Sequence, residues 1–101
     1  SDLAAYNLLL LSDGTAIITL PQGCQLSAQW EADGNEKKRT FTFSEWKVLS
    51  GNPEALTGYG RQMYDQLQKV SFYQGDSNYI RLFNETKRYF MQFGDRNKFN
   101  P

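Results

Sequence analysis

The 101 residues, 40% of them hydrophobic and 22% charged, suit one globular domain spanning 1–101 and are too few for two separate cores. The chain has no histidine and a single cysteine, Cys24, which excludes Ser-His-Asp and Cys-His catalysis, a cysteine-rich metal site and an internal disulfide within it. Acidic and basic residues number eleven each, but residues 1–36 hold five acids and no base, about −5, leaving about +5 for the remainder.

Turn signals divide the first 43 residues into extended segments. Tyr6 to Leu11 precedes Ser12-Asp13-Gly14, Thr15 to Leu20 precedes Pro21-Gln22-Gly23, and Gln25 to Glu31 precedes Ala32-Asp33-Gly34-Asn35. Lys38 to Phe43 is a fourth segment, and connections this short favour an antiparallel meander. Leu26, Ala28 and Trp30 alternate with polar residues, as a strand with one buried face requires. Arg39, Phe41 and Phe43 form a second such set, in which the core is the simplest place for the two phenylalanines. Glu45 to Leu49 extends the fourth strand or forms a short fifth one.

The period then changes. Asn52 caps a helix with Pro53 at its first position, or Thr57 caps a shorter one, and Leu56, Tyr59, Gly60, Met63, Leu67 and Val70 form its apolar stripe. Ser71 to Gly75 reads as the loop between two helices. Asp76 or Ser77 then caps a second helix, on which Tyr79, Leu82, Phe83, Thr86, Tyr89, Phe90 and Phe93 share a side, and Gly94 ends it. The rival for this segment is a hairpin turning at Asn84-Glu85-Thr86-Lys87. The helix is preferred because its stripe accounts for more positions.

These elements compose an α+β fold: an antiparallel four- to five-stranded meander sheet followed by two helices packed on one face. No apolar run reaches 18 residues, so no transmembrane helix is expected. The lone Cys24 favours a reducing, cytoplasmic setting.

Few residues carry chemistry. Asp13 and Asp33 lie in alternate turns that a meander can bring to one end, the basis for a small carboxylate-dependent enzyme, although turns select Asp for local hydrogen bonds. Gly58-Tyr59-Gly60 lacks the remaining elements of a phosphate loop. Lys37, Lys38 and Arg39 beside Phe41 and Phe43 combine phosphate attraction with aromatic stacking, the basis for a nucleic-acid-binding alternative. A second basic group gathers Arg81, Lys87, Arg88, Arg96 and Lys98. The oppositely charged halves are expected to attract each other across the fold; otherwise they present faces suited to a partner.

The leading reading is a non-enzymatic protein-interaction or assembly module, self-association included, without cofactor, catalytic residues or metal. Its candidate contacts are Lys37, Lys38, Arg39, Phe72, Tyr73, Arg81 and Arg88, with Phe72-Tyr73 as an exposed anchor in the interhelical loop. The partner is another protein or a second copy, ahead of nucleic acid.

Overall fold

The turn chemistry of the first 50 residues builds the first sheet in a computed structural model that describes residues 6–95. Strands β1 (Asn7–Leu10), β2 (Thr15–Leu20), β3 (Cys24–Ala32) and β4 (Phe41–Ser50) pair antiparallel in sequence order. Between β1 and β2 the Asp13 carboxylate accepts the Thr15 N–H at 2.9 Å. Between β2 and β3, Gln22 and Gly23 both take positive φ, which matches the turn to the strand twist. Residues 45–49 extend β4 instead of forming a fifth strand, and its register shifts between the β3 partners Ser27 and Gln29. Glu45, at φ 53°, lies at this irregularity.

Asn52 makes the expected cap, its side chain accepting the Glu54 N–H at 3.1 Å, but Pro53–Ala55 is only a 3-10 turn. Helix α1 (Gly58–Leu67) starts after Thr57 and buries Gly60, Met63 and Leu67, while Tyr59 faces outward. It is the only α-helix among the described residues, and none of them forms a helix long and apolar enough to cross a membrane.

The expected second helix is absent. Val70–Gly75, Tyr79–Asn84 and Phe90–Gly94 instead form strands β5, β6 and β7 of a second antiparallel sheet. Among the described residues the fold is therefore two antiparallel sheets, of four and three strands, separated in sequence by one α-helix, and not one sheet followed by two helices. Turn bonding helps decide the outcome. Asp76 Oδ1 accepts the N–H groups of Asn78 and Tyr79 at 2.7 and 3.2 Å, using the proposed helix cap to close a strand turn. Asn84 Oδ1 accepts the Tyr89 N–H at 3.3 Å across the next turn, where Lys87 has φ 60°. The segment is also rich in aromatic and β-branched residues, which suit a pleated surface.

The two sheets meet at one corner. An antiparallel bridge joins Thr40 to Phe72, and the Tyr73 N–H donates to the Arg39 carbonyl at 2.9 Å. The core between the sheets takes alternate residues: Ala16, Ile18 and Leu20 from β2, Cys24, Leu26 and Ala28 from β3, and Leu82 and Met91 from β6 and β7. Phe41, 1% exposed, packs against Trp30, Phe43 and Tyr73 with ring centroids 5.8, 5.1 and 6.0 Å away. Burial of Cys24 raises its thiol pKa, consistent with an apolar packing role.

Candidate functional site

Strand alternation places Tyr73, Leu82 and Met91 in one rank of the second sheet facing the core and exposes its neighbours on the opposite face. That outer face carries Phe72, Phe83 and Phe90 as register partners across β5, β6 and β7. Phe72 and Phe83 are half-buried, whereas Phe90 is 47% exposed. The parallel rank Gln74, Arg81 and Gln92 adds two amides and a cation, with Arg81 Nε donating to Gln92 Oε1 at 2.8 Å.

Cations cover several rings. The Arg81 guanidinium lies 5.0 Å from the Tyr79 ring centre and 5.2 Å from that of Phe90. Lys87 Nζ lies 4.5 Å from Phe72, and the Arg39 guanidinium 5.8 Å from Tyr73. Three of these contacts lie on the outer face of the second sheet, and the one from Arg39 lies at its edge. Among the described residues no carboxylate reaches ion-pair distance of Arg39, Arg81 or Lys87. A concavity of about 410 Å³ opens between Arg39, Phe72, Tyr73, Gln74, Gly75, Phe83 and Lys87.

The structure thus joins candidates that are distant in sequence. Arg39, Phe72 and Tyr73 share this concavity, and Arg81 stands on the adjoining rank. Phe72 and Tyr73 belong to β5 and not to an interhelical loop; Phe72 faces outward, while Tyr73 packs on Phe41. Lys37 and Lys38 are exposed in the β3–β4 connection, and Arg88 is exposed in the β6–β7 turn. Arg96 and Lys98, also candidates for the second basic group, lie outside the described residues. Phe83, Phe90 and Gln74 do not stand out in the sequence as site residues; the alternation of the hairpin reading marks Phe83 and Phe90 as outward, whereas Gln74 lies in the segment that reads as a loop.

The acidic turns also converge. Asp13, Glu31 and Asp33 line a second concavity, about 500 Å³, beside Trp30, Thr40 and Thr42. Both aspartates serve their own turns, Asp13 bonding the Thr15 N–H and Asp33 the Asn35 N–H, each at 2.9 Å. Among the described residues no group of three His, Cys, Asp or Glu side chains is arranged to hold a metal ion. Bonds from the Thr15 backbone and hydroxyl hold the Asp13 carboxyl below the ordinary aspartate range. A general acid at neutral pH needs the opposite displacement.

The sign of that displacement fixes a pH dependence. A depressed folded-state pKa stabilises the fold above the unfolded-state pKa, and the contribution disappears as pH falls through the folded value. The small stability gap between the wild type and Asp13→Ala is therefore expected to shrink in acid. Urea melts over a falling pH series measure it, and a gap that persists in strong acid contradicts the assignment.

The ion pairs between described residues join Arg61 to Glu54 and Asp65, at 3.3 and 3.1 Å. These all belong to the later, basic part of the chain, so the expected attraction between halves is not expressed as direct ion pairs across the fold among the described residues.

Residues 14–95 match the model of DUF4847, described as a domain of unknown function. The chain matches no curated protein. A 1.00 Å crystal structure of a DUF4847 family protein from Bacteroides vulgatus ATCC 8482 is similar, with 31% sequence identity and a TM-score of 0.71. The match covers 89% of this chain and 58% of the Bacteroides chain.

Proposed function

We propose that this chain, which belongs to the DUF4847 family, is a non-enzymatic protein-interaction module whose working surface is the outer face of β5, β6 and β7. The observation that carries this reading is the in-register Phe72, Phe83 and Phe90 rank beneath Arg81 and Lys87, cations without a carboxylate partner among the described residues. Rings set into a sheet offer apolar contact at small entropic cost, and unneutralised cations favour carboxylates beside it. An acidic peptide segment with apolar side chains satisfies both demands.

A nucleic-acid platform uses related residue types, but the charge balance favours protein. The whole chain has no net positive charge, and its acidic residues leave no continuous basic surface for a phosphate backbone to follow. The test is amide chemical-shift titration with an alternating Glu-Phe hexapeptide and, separately, oligothymidylate. The peptide is expected to shift β5–β7 amides with Kd below about 1 mM, and Phe90→Ser or Lys87→Glu to weaken it several-fold. Oligothymidylate binding without peptide binding favours the nucleic-acid alternative, and silence toward both probes rejects the face as this kind of binding surface.

A further inference from the structure

We infer that the cationic aromatic face docks onto the acidic concavity of a second copy of this chain, head to tail. This inference rests on the proposed binding role of that face and names its partner. Arg39, Arg81 and Lys87 lack carboxylate partners among the described residues, while Glu31, Asp13 and Asp33 gather around a neighbouring concavity of the same protein.

The two sites adjoin one connection, since Arg39 lines the first and Thr40 the second. Different patches used on the two copies make the contact heterologous, so each added copy retains one acidic and one cationic face. The polarity of a chain with eleven acidic and eleven basic residues is thereby neutralised from copy to copy without accumulating net charge. Ion pairs at such exposed positions are weak and screened by salt, which makes the association concentration-dependent and salt-sensitive.

The test is sedimentation velocity up to about 1 mM protein, at about 20 mM and about 500 mM salt. The wild-type average mass is expected to rise with concentration at low salt and return to that of a monomer at high salt. An acid-side variant, Asp13→Asn/Glu31→Lys/Asp33→Asn, keeps the side-chain acceptors of both turns while making the concavity cationic. A base-side variant, Gln74→Glu/Lys87→Glu/Arg88→Glu, changes three positions that are exposed. Each variant alone is expected to remain monomeric, and their equimolar mixture to regain association. Thermal melts establish folding, and Glu31→Lys with Lys87→Glu form the milder pair if either triple variant unfolds. A wild type that is monomeric throughout, or an assembly retained by both charge variants, overturns head-to-tail docking. If the wild type remains monomeric while the Glu-Phe peptide still shifts β5–β7, the partner assignment falls but the binding role stands; failure of both rejects the two together.

Discussion

Phe41→Ala is expected to lower the unfolding free energy by about 3–5 kcal/mol, a large part of the stability of a small domain. Phe41 is 1% exposed and contacts Trp30 on β3, Phe43 on its own strand and Tyr73 on the second sheet. Removing its ring deletes buried apolar surface, three aromatic contacts and the filling between sheets at the corner where they meet. Backbone pairing resists complete collapse of the resulting space, which places the expected loss at the upper end for a large-to-small change. Phe90→Ala provides the contrast, because its ring is 47% exposed, and is expected to cost less than about 1 kcal/mol. Urea melts of the two variants measure the difference; similar losses contradict the burial assignment.

Gly51→Ala carries the second large effect, a loss of about 2–4 kcal/mol from backbone strain and steric conflict. Gly51 has φ +74°, and an added Cβ falls 2.7 Å from Cys24 Cα and 2.8 Å from the Gly23 carbonyl oxygen. The obstacles are the last turn residue, Gly23, and the first residue of β3, Cys24; Ser50 Oγ also donates to Gly23 O at 2.8 Å, so neither side can yield without disturbing the sheet end. Gly58 also has positive φ, +60°, but its added Cβ meets nothing within 4 Å. Gly58→Ala isolates backbone strain and is expected to cost about 1 kcal/mol. Comparable thermal shifts for the two alanine variants count against the close approach at Gly51.

The first sheet was legible because local signals agreed. Gly14, Gln22 and Gly23 mark its turns, and the alternating Leu26, Ala28 and Trp30 identify the inward face of β3. The second sheet was obscured by apolar side chains on both faces. Ile80, Leu82, Met91 and Phe93 pack inward while Tyr79, Phe83 and Phe90 lie on outward ranks, and the combined spacing imitates a helical stripe. A register shift between Val70 and Phe72 similarly masks alternation in β5, so Phe72-Tyr73 resembled a loop.

The candidate surface was only partly legible for the same reason. Lys37 to Arg39 and Phe72-Tyr73 stood out by composition, whereas the association of Arg39 with Phe72, Phe83 and Lys87 depends on β4 and β5 meeting through the Thr40–Phe72 bridge. Their separation in sequence hides that proximity. The aspartates were easier to pair because alternate turns of an antiparallel meander recur at one end, and Asp13 and Asp33 line the same concavity.

The narrow backbone junction at Thr40 and Phe72 has a kinetic consequence. Within each sheet, neighbouring strands share ladders, so separating one strand from the next breaks several bonds together. Between sheets, few main-chain bonds oppose parting and side-chain packing supplies most of the resistance. Residues 70–94 are consequently expected to open and reclose as a unit while the first four strands keep their pairing, a difference that amide hydrogen exchange in the two sheets measures.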